Sequence, residues 1–188
     1  MVSNLLNRVV EGVKGGVSAG LQGAGDVGSS IVRLVSDTAT NVLKGTGQTV
    51  STGVEAAGSV VKGAIRGAAE VGATSVEALR GIVQGTVQGV MKSGTTQEAA
   101  VRGSVAQAIH EAKDLGINIG DAALNAVQGS INAVKDVGGN AAEGTKQAVN
   151  AAIDAAQEIG GDAVKMVEEA LSASVQGAKE ILSRRRAA

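Results

Sequence analysis

The chain carries a single histidine, His110, and no cysteine. One imidazole without thiolates or a gathered carboxylate set cannot complete a zinc site, and His110 reads as a solvated surface residue. Serine and threonine are plentiful, but nucleophilic catalysis needs a hydroxyl, an imidazole and an acid converging in a pocket. The stretch Gly12-Val13-Lys14-Gly15-Gly16 has the glycines of a phosphate loop but lacks the preceding strand and the Lys-Ser/Thr ending. Seventeen basic and 18 acidic residues leave a net charge of −1, which removes the basic footprint of a nucleic-acid binder. Arg184-Arg185-Arg186 is either a set of cations balancing a helix C-terminus or a grip on an anionic surface. These residues predict no catalytic group, no metal, no cofactor, no nucleic-acid partner and no enzyme.

The elements that carry these residues follow from what else is absent. There is no Phe, Tyr, Trp or Pro, while glycine reaches 28 of 188 residues. Aromatics supply the largest buried areas per residue, so a conventional core is not expected. No apolar run reaches the ~18 residues of a membrane-spanning helix, and the N-terminal residues show no signal-peptide pattern. Cut after Met1, the chain divides into 17 blocks of eleven residues. Of the 49 Val, Ile, Leu and Met residues that follow Met1, 44 fall at block positions one, four, five, eight and nine, so their placement is patterned. Only Glu98, Arg185 and Arg186 among the charged residues share those positions. At about 98° per residue the five positions form one arc of an α-helix, whereas a strand period would scatter them. The pattern predicts an all-α protein: a very long amphipathic helix, one repeat region over residues 1–188, spanning roughly 280 Å if unbroken.

A 22-residue period is superposed. Position five is glycine at Gly72, Gly94, Gly116, Gly138 and Gly160, with an earlier member at Gly28. Within an apolar stripe, glycine lets another backbone come close, so these five are expected to be helix-packing glycines. Gly81, Gly85 and Gly89 form a further row of close-packing type, as do Gly12, Gly16 and Gly20. The weakest block is residues 90–100, where Thr95-Thr96-Gln97-Glu98 matches a capping box with Thr95 as the cap. A break at 92–96 would fold the chain into an antiparallel hairpin, so a continuous helix and a hairpin both stand.

Propensity opposes either form in isolation. Glycine costs about 0.8–1 kcal/mol relative to alanine in a helix, and this chain has many. Ordering is therefore expected only on an apolar surface or in a homo-oligomer. The residues expected to make that contact are Val61, Val83, Val105, Ile109, Val127, Ile131, Val149, Ile153 and Val164. Basic residues recur at position two, beside the apolar border: Lys14, Arg80, Arg102, Lys113, Lys135, Lys146 and Lys179. Their stems can lie along an interface while acids at position three face water.

The segments 45–55 and 81–90, with their Gly/Thr/Val/Gln texture, resemble the 11-residue amphipathic repeats of perilipins and synucleins. The resemblance implies disorder in solution and helix formation on a lipid droplet or vesicle; a phasin-like granule coat is the bacterial analogue. Residues 148–158 are similar to late-embryogenesis-abundant repeats, which are more hydrophilic than this chain with its mean hydropathy of +0.16. The first expectation is a non-enzymatic protein coating a lipid droplet, storage granule or membrane, cytoplasmic and peripheral. The alternatives are a self-assembling helical bundle or right-handed coiled coil, and a desiccation protectant.

Overall fold

The computed structural model describes residues 2–22, 27–45 and 53–187. Among them are nine helices: α1 (Val2–Leu21), α2 (Val27–Gly45), α3 (Gly53–Glu70), α4 (Val76–Lys92), α5 (Gln97–Asp114), α6 (Ile119–Asp136), α7 (Ala141–Ile159), α8 (Gly161–Ser174) and α9 (Ala178–Ala187). The expected single long helix, continuous or folded once, is thereby overturned. The chain is a stack of short helices. A helix can reverse at every repeat because each 22-residue unit holds its own stop and start signals.

Those signals are legible at each central junction. Gly72, Gly94, Gly116 and Gly138 have φ of 69°, 101°, 70° and 73°, the left-handed region that glycine enters without steric cost. The amide of Gly116 donates to the Lys113 carbonyl at 3.1 Å, and that of Ile117 donates to the Ala112 carbonyl at 2.9 Å. The same two bonds recur at Gly72–Ala73 and Gly138–Gly139, satisfying carbonyls that a helix end leaves orphaned. The next helix starts on a side-chain cap: Ser75, Thr96, Asn118 and Asn140 accept from the amides of Ala78, Ala99, Asp121 and Glu143. The cap at α5 is Thr96, one residue beyond the Thr95 expected from the capping box, and Glu98 lies in the first turn. Gly160, with φ 146°, joins α7 to α8 with no intervening loop.

The five glycines expected to pack helix on helix are thus turn residues. Around Gly72, Gly116, Gly138 and Gly160 nothing lies within 4 Å of where a β-carbon would stand. Gly28 breaks the series, since it lies within α2. Close packing falls to other glycines. A β-carbon on Gly63 or Gly67 of α3 would stand 2.5 Å from the Val10 carbonyl oxygen or 2.6 Å from that of Lys14 on α1. Gly85 and Gly89 of α4 stand over the Val32 and Ser36 carbonyls of α2 in the same way, at 2.5 and 2.6 Å. The Gly81-Gly85-Gly89 row therefore includes two backbone-contact positions. Gly12, Gly16 and Gly20 meet side chains of α2, those of Val42, Thr38 and Leu34.

From α1 to α8, helices two apart in sequence pack on each other more extensively than sequence neighbours do, whereas α9 makes only small contacts with α7 and α8. Odd-numbered helices form one layer and even-numbered helices the other. This arrangement consumes much of the wide apolar arc, because each interior helix, α3 to α7, is covered from both sides of its layer and from the layer beneath. Val61, Val83, Val105, Ile109, Val127, Val149 and Ile153 are buried against other helices, and Ile131 and Val164 are half-buried against the same core. Among the described residues only Val54 and Leu115 are exposed large hydrophobics. Among the described residues, most of the stripe is covered by other helices of the same chain. Most of segment 45–55 falls on residues 46–52, outside the described residues.

Different rungs tie the layers. In the odd layer, Lys14 pairs with Glu70 at 2.7 Å, His110 with Glu158 at 3.1 Å and Arg102 with Asp154 at 3.9 Å. His110 is therefore half-buried and partnered, not simply solvated. In the even layer the rungs are amides and hydroxyls: Gln84 and Gln88 both donate to Asp136 at 2.8 Å, and Thr40 donates to the Gly89 carbonyl at 3.3 Å.

Candidate functional site

The period fails at the C-terminal end. Gly160 has no cap side chain, α8 is only 14 residues long, and position 182, where the series calls for glycine, is the buried Leu182. The left-handed glycine comes early instead, at Gly177 with φ 83°. Helix α9 therefore starts sooner and lies against α7 and α8 over a smaller area than the other helix pairs of its layer share. Ala178 and Leu182 anchor it, and its arginines clamp it: Arg185 pairs with Asp154 of α7, and Arg186 pairs with Glu168 of α8 at 2.5 Å. The basic triplet is thus mostly spent inside the fold.

The irregular end leaves a cleft of about 670 Å³ between α6, α7 and the α8–α9 turn. Ile131 of α6 and Ile181 of α9, both half-buried, give it an apolar floor. Four cations line it: Arg80 from α4, Lys135 from α6, Lys146 from α7 and Arg184 from α9. Glu180 is the one acid in the lining, and it is taken by Arg184 at 2.6 Å. Lys146 has a loose exposed neighbour in Glu143 at 3.8 Å. Among the described residues, Arg80 and Lys135 have no acidic partner within ion-pair distance. Three of these cations occupy the position-two border that the sequence marks out. The border location follows from the repeat, but their convergence on one cleft follows only from the stacking.

Two further clefts are less polarised. One of about 530 Å³, across α9, holds Arg102 and Arg185, but both are matched by Asp154. The other, of about 640 Å³ between α1, α3 and α5, is lined by both charge signs, including Glu11, Glu55, Lys62 and Arg66. Glu111, nearly buried on α5, accepts from Gln107 at 2.8 Å and lies 3.9 Å from Lys62. Among the described residues no three His, Cys, Asp or Glu side chains gather as metal ligands, and no helix is long and apolar enough to cross a membrane.

No protein-family profile and no curated protein sequence matches the chain. Among solved structures it is similar to the crystal structure of a de novo designed helical repeat protein, with a TM-score of 0.57 and 18% identity. The match covers 98% of this chain and 96% of that one. At that identity the likeness shows the fold alone, and the fold is a helical repeat. The resemblance to perilipins and synucleins drawn from the 11-residue pattern finds no support in it.

Proposed function

We propose that the protein is a non-enzymatic binding scaffold, a stacked helical repeat that presents polar helix faces and end clefts to a macromolecular partner. The observation that carries this reading is the fate of the apolar stripe. Among the described residues it is spent between helices, which leaves a charged exterior interrupted by clefts and only Val54 and Leu115 as exposed large hydrophobics. Stacked repeats with such exteriors are suited to recognition over an extended surface.

The surface coat is the alternative. It requires the interhelical contacts to be exchanged for lipid contacts. The core supports that exchange in one respect, since it contains no side chain larger than Leu, Ile or Met. Circular dichroism of the pure protein across concentration, with and without neutral-lipid emulsion or vesicles, separates the two. The scaffold reading expects a helical spectrum in buffer alone, concentration-independent, with a cooperative unfolding transition. A random coil in buffer that turns helical only with lipid would overturn it in favour of the coat. Helix that grows with protein concentration would point to self-assembly.

A further inference from the structure

We infer that the cleft between α6, α7 and α9 docks an acidic peptide segment of a partner protein, one that carries apolar side chains among its carboxylates. The inference rests on the scaffold reading and names the partner class for it. Three helix faces meet in the cleft, and on α6 the lining residues Gln128, Ile131, Asn132 and Lys135 follow the one-face spacing of a helix. That stretch spans about 10 Å, the length of two helical turns, and suits a short segment better than a small ion. The lining is strongly biased in sign, with four cations against one acid already paired to Arg184. Arg80 and Lys135 come from different helices and from none of the ionic rungs that hold the stack, so their charge is not spent on the fold. Between the cations lie Ile131 and Ile181, so a purely ionic ligand would leave the floor unfilled. An acidic, leucine-bearing segment matches both features.

The test uses the full chain and a fluorescein-labelled acidic peptide of about twelve residues, Asp and Glu with Leu at helical spacing, roughly three turns long. A second peptide replaces each Leu by Ser at the same charge. Anisotropy titration should show saturable binding of the first peptide, at least about tenfold tighter than the second, and weakening from about 50 to 200 mM salt. The paired change Arg80→Glu with Lys135→Glu should weaken binding about tenfold or more, while Arg33→Glu and Lys44→Glu, both exposed on α2, should leave it unchanged. Lys135→Glu alone, at an exposed site that cannot disturb the core, should still weaken it severalfold, and Ile131→Ser should erase the preference for Leu over Ser. No binding overturns the inference, as does equal loss with the α2 changes or equal affinity for both peptides. Competition by short polyphosphate or poly(U) as effective as by unlabelled peptide also overturns it, since the site would then read charge alone. A folded, cooperative, lipid-independent protein that fails to bind the peptide refutes this inference and leaves the scaffold reading standing.

Discussion

Gly129 of α6 lies over the carbonyl oxygen of Arg80 on α4, so close that a β-carbon would stand 2.5 Å from it. Gly85 of α4, 44 residues before Gly129, stands in the same relation to Val32 of α2. Within the even layer the helices are spaced by backbone meeting backbone, a distance at which Cα–H groups contact carbonyl oxygens.

Gly129→Ala and Gly85→Ala therefore force helices apart. Overpacking costs about 1–3 kcal/mol, and the gain in helix propensity of up to about 1 kcal/mol offsets only part of it. Both should lower the urea midpoint. Gly15→Ala on the exposed side of α1, with nothing within 4 Å, should raise stability by about 0.5–1 kcal/mol. Equal effects at the three sites would contradict close backbone contact.

At the junctions the cost has another origin. A β-carbon on Gly116 or Gly138 meets nothing, but an L-residue in that backbone region loses about 1–2 kcal/mol. Gly116→Ala should destabilise by about that amount, and Gly116→Asn by less, because Asn tolerates the left-handed region. Gly160, with φ 146° and ψ 168°, lies in a region almost reserved for glycine, so Gly160→Ala should cost more than Gly116→Ala. Chemical denaturation ranks the three.

Thr86, Ser104 and Ser130 are fully buried, and their hydroxyl oxygens have no hydrogen-bond partner. A buried unsatisfied hydroxyl costs about 1–3 kcal/mol, and replacing it by a same-shaped apolar group removes that cost. Thr86→Val, Ser104→Ala and Ser130→Ala should each raise the thermal midpoint. A fall at any of the three sites would show that the hydroxyl is satisfied there.

Lys14 pins α1 to the end of α3 through Glu70. The hydrogen bond to the Glu70 carboxylate, followed by its charge, raises the Lys14 pKa above the usual 10.5. A pKa raised by folding stabilises the fold fully below the unfolded value, and that contribution is lost as pH rises through the folded value. Stability should therefore fall above about pH 10.5, and Lys14→Met should remove that part of the decline. Unfolding curves between about pH 9 and 12, wild type against variant, check it.

Helix content and the apolar face are legible in the sequence because a 3.67-residue period can be read without knowing what covers it. The reversals are hidden by arithmetic. A 22-residue unit keeps the 11-residue register across its boundary whether that boundary is helical or a turn. The signal for turns lies elsewhere, in a glycine followed two residues later by a capping side chain: Gly94 and Thr96, Gly116 and Asn118, Gly138 and Asn140. At Gly116 the glycine answers a backbone requirement and not the steric one that its place in the apolar stripe suggests. In the candidate cleft, Arg80, Lys135 and Lys146 are visible as border cations. Their meeting depends on α4, α6 and α7 becoming neighbours in space, which no local pattern encodes. The role of Arg185 and Arg186 as clamps was equally out of reach, because Asp154 and Glu168 are remote in the chain until α9 turns back.

The near-identity of the central junctions has a consequence for how such a chain can grow. A segment running from one capping residue to the one two helices later, such as Asn118 back to Ser75, is bounded by interchangeable joints. Inserting another copy would add a pair of helices to the middle of the stack while leaving both ends as they are. The C-terminal end, where Gly177 arrives early, offers no such joint. The protein is thus a ruler with one fixed mark: its span can change by whole increments, and the cleft would travel with the terminus, carried farther from α1 at each step.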